Sequence, residues 1–185
     1  MKKETKKLTL EGVHTKAELL IIEESDRFQI KKLYKYWKIL NKGMKFFMSR
    51  GINLPEGISE SALCLCFGKN YARAVKIHNG SGSFDVINLK NKKRIQIKAS
   101  SVDNDLTSFG PKSVWDEIYF LDFYREGKFD GSFNVYKIPN NLIYNHKMNT
   151  NQTFKDQQSQ GRRPRLSLKE IILKHKLKIL KKCKL

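Results

Sequence analysis

Acidic residues are scarce in this sequence: 18 Asp and Glu stand against 37 Lys and Arg, a formal charge of +19 over 185 residues. Such an excess drives a compact chain apart unless a polyanion relieves it. Nucleic acid is the first partner to consider, because Lys and Arg gain affinity by releasing phosphate counterions; a membrane surface is the second. Long apolar runs are missing too. The longest wholly aliphatic run is Leu19–Ile22, far short of the roughly 20 residues of a span. The basic start MKKETKKLTL has no apolar region behind it, so no secretory signal is read and a cytoplasmic chain is expected. In that compartment the sequon at Asn151 carries no meaning. Cysteine is rare as well: Cys64, Cys66 and Cys183 make an odd count, which argues against a disulfide framework and leaves Cys64 and Cys66 as buried thiols. No second Cys or His pair follows at zinc spacing. None of the four histidines, His14, His78, His146 and His175, falls in a metal-binding or H-N-H pattern. No glycine-rich phosphate loop occurs, which excludes ATP-driven translocation.

What is present is one domain's worth of chain with 39% hydrophobic residues. Residues 15–50 read as helix, with Ile30, Leu33, Tyr34, Trp37 and Leu40 on one buried face and lysines on the other. Tyr34, Tyr36 and Trp37 are assigned to core or dimer packing. Gly43 reads as a break, and Gly51 as the cap of a second short helix. NLPEGISESALCLCF opens another helix, with Asn53 or Ser59 as cap and Pro55 in the first turn. The middle is β-rich: a hairpin of residues 83–89 and 94–100, then strands at 114–123 and 131–138. Residues 145–165 form a long polar loop. Ser167 and Glu170 make a capping box, with Leu166 and Ile171 as a staple, for a basic terminal helix carrying Ile172, Leu173, Leu177 and Leu180. The result is an α/β or α+β fold, a mixed sheet between helices. Its parts are a helical N-terminal part (1–52), a core (53–140), the polar loop (141–165) and a C-terminal helix (166–185).

The hairpin carries the chemistry. A turn centred between Asn91 and Lys92 pairs Asp85 with Lys98 and Ile87 with Gln96. Side chains two apart share a face, so Asp85, Gln96 and Lys98 cluster on one side while Ile95 and Ile97 enter the core. A carboxylate and an amide oxygen suit magnesium, which takes hard oxygen ligands, and a lysine supplies a mobile charge for a phosphate or an attacking water. A second carboxylate is wanted; Glu60 is the candidate, with Glu56 one helical turn earlier as the fallback. A plain cross-strand ion pair between Asp85 and a lysine is the competing reading.

These residues resemble the PD-(D/E)xK nuclease core in its Q-x-K variant. The wider stretches NLPEGISE, GSFDVINL, RIQIKASS and DLTSFGPKSVWDEIYFLDFY are similar to a family of small type II restriction endonucleases associated with the interrupted palindrome GCNGC. The likeness covers roughly residues 50–165. It implies a restriction-endonuclease-like core, Mg²⁺-dependent hydrolysis of double-stranded DNA, a homodimer and a cognate DNA methyltransferase. By position, Asp85 is the central metal ligand, Gln96 fills the usual acidic slot, Lys98 is the catalytic lysine and Glu60 the helical acid. The carbonyl of Ile97 completes the metal set. Gln96 is the departure, since a neutral ligand lowers the negative charge of the site.

For reading DNA, the tight TSFGPKS loop offers Thr107, Ser108, Lys112 and Ser113, and QGRRPR offers Arg162, Arg163 and Arg165. Arginine forks match guanine O6 and N7, and also phosphates. Two rivals are a basic DNA-binding protein without catalysis and a repair or junction nuclease of the same superfamily. Acids placed beside basic or apolar surroundings disfavour the first.

Overall fold

The computed structural model describes residues 1–10, 12–47, 51–78, 83–103 and 105–185. The chain opens with a hairpin, not a helix: β1 (Lys2–Leu10) pairs antiparallel with β2 (Val13–Ile21). Residues 15–21 therefore correct the reading of a helix over 15–50. Thr15, Ala17 and Leu19 are buried while Lys16 and Glu18 are not, the two-residue period of a strand. Ala17 and Leu19 meet Leu8 and Leu10 in a small apolar cluster with Ala72, Phe84 and Ile87.

Next, α1 (Arg27–Phe47) runs through Gly43 without a break. A Cβ at Gly43 would meet nothing within 4 Å, so it sits on the open side and costs only the propensity difference from alanine. The short helix that Gly51 was expected to cap falls on residues 48–50, which lie outside the described residues. Ile30, Tyr34, Trp37 and Asn41 are the buried residues of α1. Leu33 and Leu40, expected in the core, are 42% and 56% exposed. They lie on the outer side with Phe28, Tyr36, Ile39, Phe46 and Phe47. The inward stripe is narrower than the sequence suggested, because Asn41 occupies the position one turn beyond Trp37 and turns inward to accept from the Ile52 N–H at 2.7 Å. The Trp37 indole N–H donates to the carbonyls of Ile52 and Asn53. These bonds pin the segment that leads into α2 (Glu56–Phe67), which is buried from Ile58 to Leu65.

Beyond α2 come β3 (Tyr71–Ile77), β4 (Val86–Asn88), β5 (Arg94–Ser100), the two-residue β6 (Thr107–Ser108), β7 (Glu117–Asp122) and β8 (Ser132–Ile138). The region expected to be a long polar loop holds structure of its own. After α3 (Asn140–Tyr144), α4 (Phe154–Ser159) starts from a capping box between Thr153 and Asp156 and buries Phe154. Then β9 (Arg165–Leu166) pairs with β6. The helix capped by Ser167, α5 (Leu168–Lys174), is shorter than expected; after His175 the chain turns at Lys176 (φ 50°) and ends as β10 (Lys181–Lys184) on β8. Leu173 and Leu180 are accordingly exposed.

The main sheet has the order β1-β2-β3-β4-β5-β7-β8-β10, antiparallel throughout except for the parallel pair β5–β7. Along β7, Tyr119 and Leu121 join a cluster with α1 and α2, while Ile118 and Phe120 join one with α3, α4 and α5. Alternate residues point to opposite faces, so helices cover both sides of a mixed sheet. Both edge strands are rich in lysine, which discourages strand addition from another chain. Cys66 and Cys183 correct the expectation of unpaired thiols: β10 brings Cys183 back to the end of α2, Cα–Cα 6.0 Å, and the two are joined as a disulfide, while Cys64 stays free and buried. Their separation of 117 residues left no local spacing to read. Among the described residues no helix is long and apolar enough to cross a membrane.

The account predicts unequal costs along α1. Trp37→Ala should lower the free energy of unfolding in urea by about 3–5 kcal/mol, whereas Leu40→Ala should stay within about 0.5 kcal/mol of the parent. Equal losses would contradict the orientation of α1.

Candidate active site

The hairpin pairs two residues out of the expected register. Val86 faces Ile95, Ile87 faces Arg94, and the Asp85 N–H donates to the Ile95 carbonyl. Asp85 therefore lies beside Gln96, not opposite Lys98. The cause is a four-residue loop closed by the Asn88 N–H on the Lys93 carbonyl, with Asn88 Oδ1 accepting from the Lys90 N–H and Lys92 at φ 61°. A slip of two preserves parity, so Gln96 and Lys98 still share the face of Asp85, and Ile95 and Ile97 still pack inward.

Asp85 Oδ2 accepts from the Ile97 backbone N–H at 2.6 Å and from the Gln96 side-chain Nε2. Gln96 is 3% exposed, and its Oε1 has no hydrogen-bond partner. An orphaned acceptor of this kind is costly to bury and marks a place where a donor or a cation belongs. Burial pushes the Asp85 carboxyl up to about 6, against the Ile97 N–H and the Lys98 charge that hold it down.

Glu60 comes from the middle of α2 and is buried. Burial and the like charge of Asp85 push it up to about 7, opposed by Arg73. The Arg73 guanidinium grips one of its oxygens, Oε2, with Nε at 2.8 Å and Nη2 at 2.7 Å. Arg73 escaped the sequence reading. Its strand, β3, alternates in YARAVKI, but the residues between α2 and the hairpin were not assigned to any element. Glu56 lines the same cavity, and its charge raises both Asp85 and Glu60.

Lys98 makes no ion pair among the described residues. Its ammonium lies 5.1 Å from the centre of the Phe109 ring. It faces a cavity of about 330 Å³ shared with Glu56, Glu60, Thr107, Ser108 and Arg165. Thus β6 and β9, paired through Thr107–Leu166 and Ser108–Arg165, place three of the expected DNA-reading residues at the mouth of the site. The others lie apart from it. Lys112 is exposed, with its carbonyl accepting from the Ser83 N–H. The Ser113 carbonyl accepts from Gln158 Nε2, which also binds the Gly110 carbonyl, so α4 braces this turn. Arg162 and Arg163 are exposed, and Arg162 donates to Gln152 Oε1.

No cluster of three or more His, Cys, Asp or Glu side chains among the described residues is arranged to hold a metal ion. The donors here differ in kind: one carboxylate with Oδ1 outside the two bonds described, one buried amide oxygen without a partner, and a second carboxylate held by an arginine. All are hard oxygens, and they fit magnesium.

The family model described as Bsp6I restriction endonuclease matches residues 22–175. The type II restriction enzyme Bsp6I of Bacillus sp. (strain RFL6) is 38% identical over 145 residues, covering 77% of this chain and 78% of that protein. No solved structure matches. The matched region takes in α2, the hairpin, the β6–β9 pair and α5, so that every element lining the cavity lies within it; the chain belongs to the Bsp6I family of type II restriction enzymes, site-specific deoxyribonucleases.

Proposed function

We propose that this enzyme is a Mg²⁺-dependent nuclease with a restriction-endonuclease-like core that cuts double-stranded DNA at a short GC-rich palindrome, GCNGC, and leaves 5′-phosphates. The observation that carries the reading is the buried, unpartnered Gln96 Oε1 beside Asp85, on the strand face they share with Lys98, which lines a cavity together with Glu60. Asp85, Gln96 Oε1, Glu60 and the Ile97 carbonyl hold the magnesium ion. When bound, the ion lowers the pKa of water and offsets charge gathering on the phosphate.

The protein groups do the rest. Lys98, free of a carboxylate partner among the described residues, keeps its ammonium for the scissile phosphate and for orienting the attacking water. Water attacks phosphorus in line, the bond to the 3′ oxygen breaks, and the phosphate stays on the 5′ side. Thr107, Ser108 and Arg165 line the mouth and read base edges, with Lys112 and Ser113 on the adjoining turn. Arg162 and Arg163 lie farther out, where arginines meet phosphates more often than bases. A palindromic site calls for a two-fold dimer. The exposed stripe of Phe28, Ile39, Phe46 and their neighbours on α1 supports a covering partner. A cognate methyltransferase protects the same site in the host.

Incubation with unmethylated plasmid tests the reading. Discrete fragments should appear with Mg²⁺, with ends that sequence to GCNGC. Asp85→Ala and Lys98→Ala should each lower the rate by at least about 10²–10³-fold while binding of the DNA persists. Undiminished cutting by both variants would refute the site.

The raised carboxyls predict a pH dependence of stability. Their folded values, about 7 and about 6, exceed their ordinary values of 4.5 and 3.8. The stability they contribute is full below about 4 and lost as pH rises through about 7. A bound cation offsets that loss. Mg²⁺ near 100 times its dissociation constant should raise the melting temperature by about 5–10 °C at pH 8 and by much less at pH 5. An equal rise at both values would contradict the assignment.

A further inference from the structure

Arg73 and Glu60 form an ion pair that the fold holds from both sides. Arg73 stands on β3 opposite Val86, next to Asp85 in the chain. Glu60 is in the middle of α2, 9% exposed. Two N–H groups of one guanidinium converge on a single oxygen, Oε2. The fork crosses the first turn of α2, where a Cβ built at Gly57 would lie 3.6 Å from Arg73 Nη2. Glu60 lines the cavity, and neither of these bonds uses its Oε1.

The geometry has a consequence for the metal. Gln96 contributes no charge, so the site depends on Glu60 for a second carboxylate. A glutamate left to itself has several rotamers to lose on binding an ion. A fixed Oε2 removes that freedom in advance and leaves the other oxygen for a ligand. We propose that Arg73 is a positioning residue, which holds Oε2 of Glu60 so that Oε1 faces the divalent cation of the cleavage reaction. The inference rests on the proposed function above and deepens it.

Outer partners of metal ligands commonly govern metal affinity by 10–100-fold, and this gives the test its scale. Plasmid cleavage is followed against Mg²⁺ concentration for the parent, Arg73→Gln, Arg73→Lys, Glu60→Gln and the double variant Arg73→Gln/Glu60→Gln. Binding of Mn²⁺ to the same proteins without DNA is followed by loss of the free-ion electron paramagnetic resonance signal. Arg73→Gln should raise the half-saturating Mg²⁺ by about 10–100-fold, with the rate at saturating Mg²⁺ within a few-fold of the parent, and Mn²⁺ binding should weaken by the same factor. Lysine is a point charge that cannot close the fork, so Arg73→Lys should recover part of the loss. The double variant should be no worse than Glu60→Gln alone, because the arginine acts through that carboxylate.

An Arg73→Gln protein with the parent's Mg²⁺ response and Mn²⁺ binding, merely less stable to heat, would overturn the proposal. So would a lowered saturated rate at unchanged Mg²⁺ dependence, or losses that add in the double variant. Should Arg73→Gln not fold, Arg73→Lys decides: an unchanged half-saturating Mg²⁺ rejects the role. A parent enzyme that cuts without any divalent cation would instead overturn the Mg²⁺ reading itself.

Discussion

A half-buried carboxylate must find hydrogen-bond donors, and the way Asp85 finds them organises the site. The Ile97 backbone N–H and the Gln96 amide both turn to its Oδ2. The first bond ties the residue before β4 to β5 and so fixes where the two strands meet. The second commits the nitrogen end of Gln96 and leaves its oxygen without a partner. One carboxylate thus reinforces the register that the four-residue loop sets and, at the same time, leaves a buried amide oxygen without a partner. The remaining parts are supplied by neighbours: α2 brings Glu60, the next residue of β5 on the face of Gln96 brings Lys98, and the β6–β9 pair roofs the cavity.

Charge balance explains the arginine. Burial pushes both carboxyls up, and nearby carboxylates add to it, Asp85 acting on Glu60 and Glu56 on both. An acidic residue at position 96 would sharpen that conflict. A glutamine avoids it at the cost of affinity for a cation, and Arg73 relieves what remains. The strongly positive chain around this small acidic centre attracts DNA without help from the site.

The face on which Asp85, Gln96 and Lys98 lie was legible in the sequence, although the register was read two residues out. The two-residue period of a strand makes facing insensitive to such a slip, while a slip of one would have destroyed the reading. Glu60 was legible as the second carboxylate from its place in the helix before the hairpin, with Glu56 as the fallback, and the structure puts both on the cavity. Arg73 was missed because a guanidinium that pairs across two elements leaves no local pattern. The same holds for Cys66 and Cys183, and for Gln158, whose contacts with Gly110 and Ser113 arise only when α4 packs against that turn. The N-terminal hairpin was misread because the helical period of Ile30, Tyr34 and Trp37 was carried back across the charged EESD into β2, whose own period is two. The core side of α1 was legible at Ile30, Tyr34 and Trp37 but not at Leu33 and Leu40, since a helix packed by a narrow stripe leaves part of its apolar surface outside.

The most direct test of the account is to locate the ion. Crystals of the enzyme grown with Mn²⁺ in place of Mg²⁺, measured at a wavelength where manganese scatters anomalously, would place it without reference to activity. The account predicts a peak within metal–oxygen bonding distance of Asp85 and Gln96 Oε1, beside the cavity that Glu60 and Lys98 line. A peak elsewhere on the chain, with Gln96 Oε1 still unpartnered, would contradict it.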